Sequence, residues 1–259
     1  MTLILHIEVS GKTGFVSIAV NGIVKDTIIN ENQMEHASFL QPAINQILGR
    51  SGFSIKNLDA IALSNGPGSY TGLRVGMASA KGLAFALNIP LIAINTLKLM
   101  ATSVRMRVAG ENSINFVNKI IHAPYEIGYE PLLQNTGSTG LGGKEFLTCP
   151  LVDARRMDVF FGLFDAENIE VIPVCSATIG VDFLHEHLKT KPIIFSGSGA
   201  AKLQKIITHP NAYFAAQPLW DKAFGQFGYI YYKEKKYSDI AHAEPFYCKE
   251  FYDAAAPRS

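Results

Sequence analysis

The sequence predicts an α/β protein made of two halves that repeat one pattern of elements. Near the N-terminus, three strand-like runs are followed by alternating helical segments and short apolar runs. A similar order of three strand-like runs, a helix and a buried strand begins again at Leu151. At 259 residues the chain is long enough for one large domain or for two compact halves. We therefore expect a duplicated α/β domain with a cleft between its halves.

The first half is predicted to follow the order βββαβαβα. The turn Asn21-Gly22 joins two strands, as expected in a hairpin. Short apolar runs with no room for a helix indicate buried parallel strands. Strands are predicted at Leu3–Val9, Phe15–Val20, Ile23–Ile29, Asp59–Ser64 and Leu91–Ile94, and helices at His36–Leu48, Leu73–Leu87 and from Thr96.

The second half begins after an irregular insertion at 104–148, where glycines and prolines interrupt every periodic pattern. Residues 1–102 are assigned to the first half, joined by the last helix at about 217–236. Residues 103–216 are assigned to the second half and 237–259 to a tail. Strands are predicted at Leu151–Ala154, Val159–Phe164, Ile169–Val174 and Ile193–Phe195, helices at Val181–Leu188 and Pro218–Lys236, and an edge strand at Glu244–Phe251.

Composition excludes several classes of protein. With 48% hydrophobic and 17% charged residues, the chain is not a disordered protein. A net charge of +1 gives no electrostatic reason for it to bind nucleic acid unaided, so a role on RNA would require a partner. The sequence has no segment long and apolar enough for a membrane span, and we expect a cytoplasmic protein with reduced thiols at its three unpaired cysteines, Cys149, Cys175 and Cys248.

A glycine-rich turn between a buried strand and a long helix is the most informative segment. It runs from Asn65 to Arg74, and such a position can direct backbone amides toward an anion. No GKS or GKT follows, so it is not a Walker loop. An anion-accepting turn and a purely structural turn both remain open. The candidate phosphate-binding residues are Gly66, Gly68, Ser69, Thr71 and Gly72 here, with Gly197 and Gly199 in a second turn.

The helix after this turn carries small residues at four-residue spacing. One stripe contains Gly72, Gly76, Ala80 and Ala84, and a second stripe contains Ala78, Gly82 and Ala86. Small residues at this spacing let another element approach the helix backbone closely. The partner is either the chain's own sheet or a helix of another molecule, and the pattern alone does not choose.

The run from Asp59 to Gly76, continued by Ala80–Ala84, resembles the signature of the TsaB (YeaZ) family. The agreement is long and specific, but it does not cover residues 104–148. Weaker agreements are found in the first hairpin, the helix entered at His36, Asp153-Ala154-Arg155, Gly197–Ala200 and Pro245-Phe246-Tyr247.

This resemblance implies the actin-like, sugar-kinase and Hsp70 superfold, built from two ribonuclease-H-like halves. It also implies a scaffold that works with TsaD and the ATPase TsaE to transfer a threonylcarbamoyl group to the adenosine beside the tRNA anticodon. TsaD carries the metal and the chemistry. The resemblance implies no certain cofactor for this chain. An adenine nucleotide at a complex interface and a homodimer both remain open. Docking is expected on the first two helices, at His36, Phe39, Leu40, Ala43, Ile47, Leu73, Gly76, Met77, Ala80 and Ala84.

Metal and catalytic residues are not expected in this chain. The catalytic paralogue holds its metal with two histidines four residues apart, whereas His36 is followed at that spacing by Leu40. His185 and His187 are two apart and point in different directions on a helix. Ser10, Ser69 and Ser196 lack a GxSxG context and are expected in turns or caps.

Two acidic positions carry open alternatives. Many relatives have Asp after the first strand, where this chain has Glu8. Glu8 either accepts structural hydrogen bonds or helps to hold a nucleotide-bound metal, as in an alternative ATP-dependent small-molecule kinase or ATPase of the same superfold. Asp153 and Arg155 either form a surface salt bridge or line the cleft.

Overall fold

A five-stranded mixed sheet forms the centre of the first half. The computed structural model describes residues 1–108 and 145–248. In the first sheet the strand order is β3-β2-β1-β4-β5, with β1 antiparallel to β2 and parallel to β4. Every residue of β1 is buried because the sheet is covered on both faces. The strands are β1 (Leu3–Glu8), β2 (Gly14–Val20), β3 (Ile23–Asn30), β4 (Ala60–Ser64) and β5 (Leu91–Ile94).

A second sheet repeats this arrangement in the other half. Its order is β10-β9-β6-β7-β8, so that β6 takes the place of β1 and β9 takes the place of β4. The predicted fold class, α/β with two similar halves and mixed sheets, is confirmed. The strands are β6 (Leu147–Asp153), β7 (Asp158–Phe164), β8 (Glu170–Thr178), β9 (Ile193–Ser196) and β10 (Ala212–Phe214).

Six α-helices connect and cover the strands in the described ranges. The second helix begins at the Ser69 cap, whose hydroxyl accepts from the Gly72 amide, and ends at Asn88 in a left-handed conformation. Gly52, at φ 71°, ends the first helix in the same way. The helices are α1 (His36–Ser51), α2 (Tyr70–Leu87), α3 (Thr96–Val108), α4 (His185–Thr190), α5 (Ala200–Leu203) and α6 (Asp221–Lys233).

The first sheet has an apolar core on each face. On one face, α1 and α2 bury Leu40, Ile47 and Ala80 against strand residues such as Ile7. On the other face, α3 and the late helix α6 cover Ile4, Phe15 and Ala62 with Leu97, Trp220, Phe224 and Phe227. The last helix therefore completes the core of the first half, although it lies far from it in sequence.

Helix α3 connects the two halves through polar contacts. The Asn168 amide donates to the Thr102 hydroxyl over 2.7 Å. The Gln217 amide donates to the Ser103 hydroxyl over 2.8 Å, while its carbonyl accepts from the Ser196 hydroxyl over 2.9 Å. Helix α3 thus bonds Asn168 from the loop after β7 directly, and it is linked to Ser196 at the end of β9 through Gln217.

The structure corrects three predicted segments. Residues 104–108 belong to α3 and 147–148 to β6, so the irregular segment is shorter than predicted, and residues 109–144 lie outside the described residues. The helix predicted at Val181–Leu188 begins only at His185, because Leu184 adopts a left-handed conformation. Residues 244–248 do not form the predicted edge strand; the remaining residues of that prediction are not described.

Among the described residues, none of the helices combines the length and the apolar character required to cross a lipid bilayer.

Candidate functional site

Glu8 lies at the end of β1 and is completely buried. One carboxylate oxygen accepts from the backbone amide and the hydroxyl of Ser10, both over 2.6 Å. The other accepts from Trp220 Nε1 over 2.9 Å. Burial raises the pKa of Glu8, while hydrogen bonds from Ser10, Ser64 and Trp220 act in the opposite direction. Both carboxylate oxygens of Glu8 thus accept hydrogen bonds from within the chain, as expected if the role of this residue is structural.

The first glycine turn packs directly on the chain that follows β1. The Ser69 amide donates to the Ser10 carbonyl over 2.6 Å. A side chain on Gly68 would meet that same carbonyl, and one on Gly72 would meet the Val9 carbonyl. These glycines are required for close packing between the turn and β1, whether or not the turn binds an anion.

Several backbone amides of this turn already have partners within the chain. The Gly66 amide donates to the Thr96 hydroxyl over 3.1 Å, and the Ser69 amide is held by Ser10. The Gly72 amide is capped by the Ser69 hydroxyl, whereas Thr71 is exposed. Phosphate binding by this turn stays a prediction, and the described contacts reduce the number of donors that it could use.

The second glycine turn has the same relation to β6 that the first has to β1. The Gly199 amide donates to the Leu151 carbonyl over 3.0 Å. Gly197, at φ 88°, lies so close to that carbonyl that a side chain would collide with it. The two predicted turns are therefore equivalent positions of the two halves, and both fix a glycine turn against the end of a central strand.

The structure buries most of the predicted docking residues in the chain's own core. Gly76 packs on Val9, where a Cβ atom would come within 2.8 Å of Val9 Cγ2. Phe39 is only partly buried. Buried side chains offer little surface to a partner in this fold, and docking through these residues stays a prediction. Nine of the ten are buried: His36, Leu40, Ala43, Ile47, Leu73, Gly76, Met77, Ala80 and Ala84.

The second small-residue stripe of α2 faces outward. Ala78, Gly82 and Ala86 are exposed, and a Cβ atom on Gly82 would meet nothing within 4 Å. Beside them, Phe85 has 79% of its surface exposed. We call Ala78, Gly82, Phe85 and Ala86 the outer face of α2. The two stripes thus have different surroundings, the first the chain's own sheet and the second solvent.

The chain between α6 and residue 248 runs along α2 and β5. We call residues 237–247 the strap. Ser238 forms an antiparallel bridge with Leu91 on the edge of the first sheet. Lys81 donates to the carbonyls of Ala241 and Ala243 over 3.1 and 3.0 Å. The Phe246 amide donates to the Asn65 carbonyl over 2.7 Å, which closes the strap over the glycine turn.

The remaining predicted site residues are structural or peripheral. Ser196 bonds Gln217, and His185 lies against His209 with ring centroids 5.9 Å apart. Asp153 forms a salt bridge with Lys202 over 2.7 Å rather than with the Arg155 side chain. Cys149, Cys175 and Cys248 are free thiols. Within 1–108 and 145–248, no group of three or more His, Cys, Asp or Glu side chains is placed to hold a metal ion.

The chain is similar to proteins named for tRNA threonylcarbamoyladenosine modification. A family model for TsaD, tRNA N6-adenosine threonylcarbamoyltransferase, matches residues 24–116. The Haemophilus influenzae protein TsaB, named as a tRNA threonylcarbamoyladenosine biosynthesis protein, is 34% identical over 123 residues, or 47% of this chain and 51% of that protein. Bacillus subtilis TsaB is 25% identical over 211 residues, or 79% of this chain and 74% of that protein. In sequence, the chain resembles TsaB (YeaZ) proteins over these stretches.

The structural comparison extends the likeness to TsaB-family proteins beyond the matched segments. YeaZ from Pseudomonas aeruginosa superimposes with a TM-score of 0.67 and 19% identity, over 95% of this chain and 100% of that one. It shows a shared fold across both halves. In sequence, the chain spans about half the length of the Haemophilus influenzae relative.

The family match falls on the elements that carry the outer face. Residues 24–116 include α1, the first glycine turn and α2, but neither Glu8 nor the second glycine turn. Sequence reasoning missed Trp220 and Lys81 as contributors to this region of the chain. Periodicity has no signal for such contacts, because Trp220 and Glu8 lie 212 positions apart.

Proposed function

We propose that this chain serves in tRNA threonylcarbamoyladenosine biosynthesis as a non-catalytic docking partner of TsaD, in the cytoplasm and together with TsaE and tRNA. The names of its Haemophilus influenzae and Bacillus subtilis relatives support the pathway. The outer face of α2 supports a docking role, and it is the observation that carries the proposal.

The outer face has the properties of a helix-docking surface. Phe85 exposes most of a large apolar side chain, and its removal from water on binding is favourable by roughly 1.5–3 kcal/mol. Ala78, Gly82 and Ala86 leave the helix backbone open to close approach by a partner helix. The neighbouring helix α1 also exposes Ala37 and Gln41.

We base the docking proposal on this exposed surface, while docking through the buried residues stays a prediction. Substitutions at Gly76 or Ala80 would disturb the contact between α2 and β1 before they tested any partner. Ala78 and Gly82 are exposed and can be changed with less effect on the core. The same outer face could also form a homodimer, which would compete with TsaD for it.

The non-catalytic role is supported by the environment of Glu8. In the alternative function, a kinase or ATPase, Glu8 would hold a magnesium ion. Three hydrogen bonds from Ser10 and Trp220 already occupy its two oxygens. No described contact favours the alternative. An adenine nucleotide at the interface with TsaD remains a separate proposal, for which Thr71 and the adjoining turn are the candidate contacts.

The deciding experiment is reconstitution of the modification. Purified TsaD, TsaE, tRNA and threonylcarbamoyl-adenylate are incubated with and without this chain, and threonylcarbamoyladenosine is measured by mass spectrometry. We expect formation to require the chain. Ala78→Arg and Gly82→Arg should reduce TsaD binding and product formation at least about tenfold, because a bulky charge is buried at the interface without a partner.

The matched control is Ala216→Arg, which adds the same charge at an exposed position of the second half. It should leave binding and modification unchanged. Light scattering of the same variants shows whether self-association uses the outer face. Equal product with and without the chain would reject the proposal, and full activity of folded Ala78→Arg and Gly82→Arg would reject the docking surface.

A further inference from the structure

The hairpin between β6 and β7 has an unusual tip. Arg155 and Arg156 are consecutive residues with φ angles of 72° and 45°. Residues other than Gly, Asn and Asp rarely adopt this left-handed backbone conformation, because their Cβ atom crowds the backbone. Hairpin turns normally place Gly or Asn where φ is positive. Two arginines here are unfavourable for the fold itself.

Both arginine side chains are exposed and available. Within the part of the chain that the structure describes, neither guanidinium makes a hydrogen bond or an ion pair. The nearby acids have other partners. Asp153 binds the Lys202 ammonium and the Arg155 backbone amide, both over 2.7 Å, and Asp158 accepts from the Thr178 hydroxyl over 2.5 Å. The tip therefore presents two positive charges, and the nearby carboxylates of Asp153 and Asp158 already bond other groups.

The base of the hairpin is held firmly. The Asp153 amide donates to the Ser198 hydroxyl over 3.0 Å, so that the second glycine turn supports the strand end. Lys202 also donates to the Asp158 carbonyl over 3.3 Å. Although its partial burial opposes the effect, the bonds from Lys202 and the Arg155 amide lower the pKa of Asp153. Asp153 thus stays ionised and paired with Lys202, not with the arginines.

We propose that Arg155 and Arg156 bind phosphate groups of an RNA backbone. Guanidinium groups match phosphate oxygens in geometry and charge. The tip is an exposed projection, with Arg155, Arg156 and Met157 all open to solvent. Such a projection fits a long polyanion, whereas small ligands are usually held in concave pockets. The choice of RNA rests on the proposed function, in which the complex acts on tRNA.

The test uses the full chain and a fluorescein-labelled RNA anticodon stem-loop, with binding followed by fluorescence anisotropy at several salt concentrations. The variant R155G/R156G removes both charges and also relieves the backbone strain. We expect its Kd to rise roughly tenfold and the slope of log K against log salt to fall by about two, one for each lost phosphate contact. Its melting temperature should be unchanged or higher, since glycine suits positive φ.

The matched control is K25A/K56A, which removes two exposed positive charges from the first half. It should bind RNA like the unchanged chain. The proposal is overturned if R155G/R156G binds within twofold of the unchanged chain, if the control loses as much affinity, or if the unchanged chain does not bind the RNA at low salt. Unfolding of R155G/R156G would also overturn it, by giving the arginines a structural role.

A second arm separates RNA from free nucleotide. If ATP displaces the RNA at matched phosphate concentration, the site takes nucleotide phosphates and the RNA proposal fails. The outcome is independent of the modification assay. Arginine-dependent RNA binding by a chain that proved dispensable for threonylcarbamoyladenosine formation would reject the proposed function and leave this inference standing.

Discussion

His6 and Glu8 lie two positions apart on β1, and both side chains are completely removed from solvent. His6 packs on the Phe224 ring at a centroid distance of 5.0 Å. Burial lowers the pKa of His6 from 6.5 to about 3, while a contact with the Ser17 backbone acts in the opposite direction. The imidazole is therefore neutral in the folded protein at pH values where it would be charged in the unfolded chain.

This difference predicts a loss of stability in mild acid. Because the unfolded chain binds a proton at His6 as the pH falls below 6.5 and the folded chain does not until about pH 3, acid favours unfolding. Between pH 7 and pH 5 the His6 contribution should cost roughly 2 kcal/mol. Urea unfolding followed by circular dichroism at both pH values measures it.

The control for this prediction is His6→Asn, a neutral variant at both pH values. Glu8 acts in the opposite direction, because its raised pKa favours proton binding by the folded state. The difference between the two chains isolates His6. An equal loss of stability in His6→Asn would assign the acid sensitivity to other groups.

At the scale of single residues, the sequence left two alternatives for Glu8, and the structure supports the hydrogen-bonded one. Glu8 was compatible with structural hydrogen bonding and with a metal-related role, since both uses require a carboxylate near the end of the first strand. The choice depends on Trp220, which donates to Glu8 from the far end of the chain. A single sequence has no pattern that pairs two such distant residues.

At the scale of elements, helix α2 shows how two stripes with the same spacing acquire different roles. Gly72 and Gly76 contact Val9, whereas Gly82 faces open solvent. Both stripes follow the four-residue period, so the sequence predicted the helix and its small residues correctly. It could not predict which stripe would face the sheet, because that depends on how the glycine turn directs the helix over β1.

Two alanine substitutions on α2 are expected to have opposite effects. Gly72→Ala would push a methyl group into the Val9 carbonyl and should destabilise the fold by about 2 kcal/mol or more. Gly82→Ala meets no atom and should stabilise it by up to about 1 kcal/mol, because alanine is the better helix former. Both values come from urea unfolding at pH 7. Destabilisation by Gly82→Ala would contradict the outward position of the second stripe.

The edge strand predicted at Glu244–Phe251 overlaps the strap only at residues 244–247, which form no strand; the strap meets the edge of the first sheet earlier, at Ser238. Its contacts with β5 are a single bridge at Ser238, followed by bonds from Lys81 and to Asn65. Alternating apolar residues indicate that the two faces of a segment have different surroundings. They do not show that its backbone is hydrogen-bonded to a neighbouring strand. Here the two faces arise because the segment lies across α2.

For the whole molecule, the sequence predicted the duplication of pattern, and the equal strand order of the two sheets confirms it. The division of the chain remains a proposal: 1–102 with the last helix at about 217–236, 103–216, and a tail at 237–259. The packing of α6 on the first sheet supports joining that helix to the first half. The roles of residues 109–144 were beyond prediction, because their glycines and prolines give no periodic signal.

Truncation tests the contribution of α6 to the fold. A chain that ends at residue 216 contains both sheets but exposes Ile4, Phe15 and Ala62 on the face that α6 covers. We expect it to lack a cooperative unfolding transition, because this apolar surface is returned to water. A chain that ends at residue 236 keeps α6 and should unfold cooperatively, with lower stability from loss of the strap. Differential scanning calorimetry of both chains decides the matter, and a cooperative transition in the shorter one would contradict this account.

The hydrogen bond between Trp220 and Glu8 also makes tryptophan fluorescence a probe of this fold. Trp220 is the single tryptophan of the chain and only 9% exposed, and its indole nitrogen is bonded to the carboxylate at the end of β1. Its fluorescence therefore reports on one junction, the closure of the last helix over the first strand. A red shift that precedes the loss of helical circular dichroism would show that this junction opens before the rest of the fold, without any label added to the protein.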